Sequence, residues 1–163
     1  MTDTDRHWLR ASFALARRAA RRGDEPYGAV LIAAGERALL EAENTIATSG
    51  DCTGHAETNL VRALAGRFDP AALAAATLYA STEPCAMCAG AVYWSGIGRV
   101  VFGLSSARLY GEVLADTSSL PALRLGCREV FSAGDRRVIV EGPWLENEAA
   151  VIVAGWVRPQ PRS

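Results

Sequence analysis

Two short segments carry the side chains of this chain that can do chemistry: His55-Ala56-Glu57 and, farther on, Pro84-Cys85-Ala86-Met87-Cys88. Two cysteines with two residues between them can hold one ion from the start of a helix, and a distant histidine completes a three-ligand face. Such a set leaves the fourth tetrahedral position to water, which is the layout of a catalytic zinc site. A zinc ion on His55, Cys85 and Cys88, one per chain, would acidify water. Glu57, two residues from the histidine, can then take up the proton and deliver it again, as general base and general acid in turn. The competing arrangement is a closed structural site in which Cys52, three residues before His55, supplies a fourth ligand. That arrangement gives Glu57 and Pro84 no reason to be present. Ligand type alone would also admit iron.

These side chains need elements to hold them. Glu57 to Ala65 reads as a helix stopped by Gly66, and Ala86 to Ser95 as a helix of small residues, so His55 and the cysteines stand at two helix starts. The positive ends of the helix dipoles favour thiolate over thiol. Pro84 suits a helix start, where its missing N–H is not needed. Asp5 to Arg22 has amphipathic spacing, with Trp8, Phe13, Leu15, Ala16 and Ala19 on one side. Tyr27 to Ala33 and Ala38 to Asn44 form a hairpin pattern turning at Ala34-Gly35-Glu36. Thr77 to Ser81, Gly98 to Gly103 and Val138 to Val140 read as further strands, Pro121 to Leu125 as a loop or short helix, and Glu146 to Val157 as a last helix. Strands alternating with helices predict an α/β fold, a three-layer α/β/α sandwich with a mixed central sheet, as a single domain over residues 1–163.

Composition narrows the function classes. Half of the residues are apolar and 21% are charged, the net charge is −1, and all 17 basic residues are arginine. That balance gives no support for a nucleic-acid surface. No segment is long and apolar enough to cross a membrane, and residues 1–10 are polar and charged without a signal-peptide core. A reducing cytoplasm, which keeps the thiols of Cys52, Cys85, Cys88 and Cys127 free, is the expected compartment.

The paired motifs, with the run Gly98 to Gly103, resemble the cytidine/deoxycytidylate deaminase-like superfamily from Pro26 to about Trp156. The resemblance implies hydrolytic removal of an amino group from a ring carbon, with release of ammonia. It implies that Pro26 to Val30, Tyr27 included, forms the pocket floor, that Asn44 reads the base with its amide, and that Ala56 adjoins the substrate. Three branches compete. Similarity to bacterial guanine deaminases rests on Ala91-Val92-Tyr93-Trp94, with Trp94 as a stacking platform, and on Asp116 as a second proton-handling carboxylate. Fungal-type cytosine deaminases are similar in the segment Gly142 to Ala150, which would make Trp144 and Trp156 lid elements. The tRNA adenosine deaminases share the zinc motifs and end in a basic helix, where this chain has the acidic Glu141 to Glu148. The expected order is a free base or nucleoside of the guanine type, then cytosine, then tRNA, with a non-catalytic zinc scaffold outside the enzyme class. Ala89, Gly90 and Ala91 imply a homodimer through the cysteine helix.

Overall fold

The computed structural model describes residues 1–33, 38–115 and 122–156. Five strands form one sheet: β1 (Gly28–Ile32), β2 (Ala38–Glu43), β3 (Thr77–Thr82), β4 (Arg99–Leu104) and β5 (Ile139–Glu141), in the order β2-β1-β3-β4-β5. β1 is antiparallel to β2 and β3, while β3, β4 and β5 run parallel. The sheet is therefore mixed, as expected.

Its two faces are read off the alternation of side chains along each strand. Ala29, Leu31, Leu78, Ala80, Val100 and Phe102 face one way, against α3 (Ala56–Leu64), α5 (Ala86–Ser95) and α7 (Cys127–Ser132). Val30, Ile32, Tyr79 and Val101 face the other way, against α1 (Asp3–Arg22) and α8 (Glu146–Ala154). This is the three-layer α/β/α sandwich. β1, β3 and β4, in the middle of the sheet, are buried on both faces, which explains their largely apolar runs.

α1 lies directly on the sheet because β1 begins with a glycine: a Cβ at Gly28 would come 2.5 Å from both Leu15 Cβ and Ser12 O. Its start carries a capping box in which Thr2 accepts from the Asp5 N–H and Asp5 accepts from the Thr2 N–H. The same Asp5 carboxylate is buried against Arg99 of β4, at 2.8 Å, and accepts from the Tyr79 hydroxyl of β3 at 2.9 Å. One side chain thus ties the first helix to two central strands.

Short elements that the sequence pattern does not reveal are α2 (Ile46–Ser49), α4 (Pro70–Ala74), α6 (Ser106–Arg108), a π-turn at Leu109–Val113, and α7 itself. Each is six residues or shorter, too brief for a 3.6-residue period to show. The last helix ends at Ala154 rather than Val157. The turn at residues 34–36, Asp116, Pro121, Arg158 and Arg162 lie outside the described residues.

Candidate active site

The metal-type ligands converge at the carboxyl ends of the parallel strands, where open α/β sheets form their crevices. β3 ends at Thr82, and the turn Glu83-Pro84 leads to Cys85, the N-cap of α5. His55 is the N-cap of α3, so Glu57 lies in that helix's first turn. One ligand atom each from His55, Cys85 and Cys88 lies within 4.8 Å of the others. Tetrahedral zinc, with sulfur at about 2.3 Å and nitrogen at about 2.0 Å, sets its ligand atoms about 3.5 Å apart. Cys85 Sγ and His55 Nδ1 are separated by 3.7 Å. The donor set and its spacing therefore fit zinc. Cys52, the fourth ligand that a closed site would need, is exposed and does not belong to the cluster.

Electrostatics at the cluster suit an ion. The hydrogen bond from the Cys88 thiol, with lesser help from His55 and the Cys88 N–H, brings Cys85 down to about 4 despite burial. Cys88 is pushed up, first by its hydrogen bond to Cys85 and then by burial. Burial raises the Glu57 carboxyl to about 7. A carboxyl near neutrality passes protons in either direction.

Above the cluster lies a cavity of about 210 Å³. Tyr27, His55, Glu57, Thr82 and Cys85 form its inner side. Leu109, Tyr110 and Leu114 form one outer wall, and Val153 and Trp156 another. A more open depression of about 420 Å³ lies between α7 and β5, lined by Arg128, Phe131 and Arg136 among others. Arg128 and Arg136 are committed to backbone carbonyls, and the lining contains none of the cluster residues.

Asn44 sits fully buried where β2 leaves the sheet. Its N–H donates to Tyr27 O at 3.0 Å, its carbonyl accepts from Arg22 at 2.9 Å, and its Oδ1 accepts from the Ile46 N–H at 3.0 Å. Nδ2 has no partner among the described residues. The amide therefore keeps a free donor, and Oδ1 retains its second lone pair beside the bond from Ile46. Arg22 is itself held by Asp24 and by Glu43, which also takes Arg18. Part of the N-terminal arginine group thus buttresses this turn instead of forming a wholly solvated face. Asn59, on α3, donates to Glu43 O and Thr45 Oγ1, each at 2.9 Å, and locks the loop behind His55.

Ala56 is buried between His55 and Glu57. Trp94 is 86% exposed and does not line this cavity among the described residues. Six residues beyond Cys88, it lies about 120° around α5 from the buried cysteine. Trp156 does line the cavity, whereas Trp144 packs against the core between the sheet and α1 and α8. Thr82, Glu83, Leu109, Tyr110 and Leu114 went unnoticed in the sequence. The only signal for Thr82 and Glu83 was their place immediately before Pro84-Cys85.

A mixed α/β/α sheet with a His-Cys-Cys centre at its carboxyl edge defines the class of zinc-dependent deaminase folds. The chain belongs to the family described as the cytidine and deoxycytidylate deaminase zinc-binding region, whose model matches residues 2–104. It is 35% identical over 152 residues to a probable cytosine deaminase of Schizosaccharomyces pombe, covering 93% of this chain and 91% of that protein. To the guanine deaminase of Bacillus subtilis it is 40% identical over 70 residues, 43% of this chain and 44% of that one. Among solved structures it resembles one from a study of tRNA:A34 deaminases at the wobble position, with a TM-score of 0.65 and 28% identity over 90% of this chain and 98% of that one.

Proposed function

We propose that the protein deaminates a small free base by hydrolysis, an aminated pyrimidine of the cytosine type ahead of a guanine-type purine. Trp156 carries this reading. Among the tryptophans, the one at the cavity comes from the C-terminal segment, as the cytosine-type resemblance implies, while Trp94 of α5, the platform that the guanine-type resemblance implies, stands outside it. A cavity of about 210 Å³ is also small for a substrate larger than a free base. The sequence match to the yeast protein extends over nearly the whole of both chains, while the sequence match to the guanine deaminase covers 43% of this chain, although its solved structure resembles 71% of it.

His55, Cys85 and Cys88 hold zinc, which when bound supplies the Lewis acidity that makes water a nucleophile near neutral pH. Glu57 accepts one proton of the attacking water and passes it to the ring nitrogen. It then takes the proton of the hydroxyl now on the ring carbon and delivers it to the departing amine, so that ammonia leaves and a carbonyl remains. Burial, which keeps this carboxyl near 7, suits it to both roles. The free Nδ2–H of Asn44 donates to an acceptor on the ring, Tyr27 and Trp156 flank the ring from the cavity lining, and Ala56 as a neighbour of the substrate rests on the family resemblance. Asp116 as a second proton-handling group rests on the family resemblance.

The active form is a homodimer through α5. Met87, Gly90, Ala91 and Trp94 are spaced at three, four and seven residues, one stripe of the helix. Met87 and Trp94 are exposed, and a Cβ on Gly90 would meet nothing within 4 Å. An exposed tryptophan beside small residues favours burial by a second chain. With a net charge of −1, the molecule lacks the electrostatic drive for tRNA.

Substrate choice is tested by steady-state assays with cytosine, guanine, cytidine and a tRNA anticodon stem-loop. The highest kcat/KM is expected for cytosine. Turnover confined to the stem-loop would overturn the free-base reading.

A further inference from the structure

We propose that Glu83 is a positioning residue that suspends the outer wall of the substrate cavity from the turn carrying the metal-binding cysteines. The observation is a single carboxylate with its two oxygens on two backbone amides from separate elements. Oε2 accepts from the Ser106 N–H at 2.9 Å, and Oε1 accepts from the Cys127 N–H at 3.2 Å. Ser106 opens the helix that runs into the π-turn, and Leu109 and Tyr110 of that turn face the cavity. Cys127 opens α7, which packs against α5 through the core.

The base of the clamp is itself fixed. The Glu83 N–H donates to Leu104 O at 2.7 Å, which pins the turn to the end of β4. Gly126 lets the carboxylate reach the α7 amide, since a Cβ there would stand 3.2 Å from Glu83 Oε1. The wall has a second anchor in Glu146, whose Oε1 accepts from both the N–H and the hydroxyl of Ser105. Backbone amides at helix starts have no partner within their own helix, and an ionised acceptor makes one of the stronger hydrogen bonds available to them. Glu83 therefore sets the distance between the cysteine turn and the wall opposite it. That distance fixes how closely a ring fits between Thr82 and Tyr110.

The kinetic consequence rests on the deaminase reading above, and the structural one does not. Glu83→Ala removes both anchors, and Glu83→Gln keeps volume but offers one acceptor and one donor, so it loses one of the two. In Glu83→Ala, KM for the preferred base should rise about tenfold while kcat stays within about threefold, because the backbone bond to Leu104 O still pins the cysteine turn and Glu57 stands on α3. Zinc content should remain at the wild-type level. Amide hydrogen exchange should lose about tenfold in protection at both Ser106 and Cys127 in the alanine variant, and at one of them in the glutamine variant. Unchanged exchange at both amides in zinc-loaded Glu83→Gln would overturn the clamp, whether or not the alanine variant folds. Unchanged KM despite faster exchange would overturn its role in substrate fit. A wild-type protein that releases no ammonia from any base would instead sink the deaminase reading and leave the exchange result standing.

Discussion

At the scale of single residues, the site is a set of groups whose partners have been removed or assigned so that one atom of each is left to act. Asn44 is the sharpest case. Its side-chain oxygen Oδ1 accepts from the Ile46 N–H, and its buried Nδ2 is left without a partner among the described residues. A buried donor without a partner costs about 1–3 kcal/mol, which a substrate acceptor would offset. Asn44→Asp keeps the oxygen for Ile46 and loses the donor, so kcat/KM should fall about 100-fold, as far as in Asn44→Ala. Steady-state kinetics on the two variants make the check, and an aspartate variant with wild-type kcat/KM would refute the donor role. The three metal ligands and Glu57 were legible in the sequence because their chemistry is fixed by residue type and short spacing. Where Trp94 stands on α5 was not legible, because an aromatic beside a motif says nothing of which way the helix turns it. Trp156, a lid residue by resemblance only, needed the folded chain to be set at the cavity.

At the scale of elements, helices and strands were visible wherever a period could repeat, and the sheet's burial on both faces shows in its apolar strands. The segments that form the cavity wall were not visible, since α6, the π-turn and α7 are held by side chains distant in sequence such as Glu83 and Glu146. The opposite end of the sheet is tied by Asp5. Burial works against ionisation of its carboxyl, but hydrogen bonds from Arg99, from Thr2 and from Tyr79 outweigh that and hold it well below the usual carboxylate range. A depressed carboxylate contributes stability that is complete above its unfolded value, near 3.8, and is lost as pH falls toward the folded value. Asp5→Asn should therefore cost roughly 3 kcal/mol at pH 7, where the wild-type pair is intact, and much less at pH 2–3. Urea unfolding of both proteins across pH 2–7 measures this. A difference independent of pH would show that the ion pair is not what Asp5 contributes.

At the scale of the whole molecule, three observations combine: an α/β/α frame, a zinc-type centre at the carboxyl edge of its parallel strands, and an exposed apolar stripe on the helix that carries the cysteines. The frame and the centre could be read in advance because strand–helix alternation and metal chemistry are local in sequence. The choice of base could not, because it depends on which distant segment closes the cavity. The stripe predicts that Trp94→Arg turns a dimer into a monomer, seen by sedimentation at micromolar concentration, and a wild-type monomer there would refute the proposed assembly. The central claim is that zinc on His55, Cys85 and Cys88 and proton transfer by Glu57 together deaminate a free base. Its most direct measurement is ammonia release from cytosine by the zinc-loaded wild type and by Glu57→Gln, with zinc content determined in the same samples. The account predicts turnover in the wild type and a fall of about 10³-fold or more in the variant at unchanged zinc occupancy. Equal ammonia release by the two zinc-loaded proteins would contradict it.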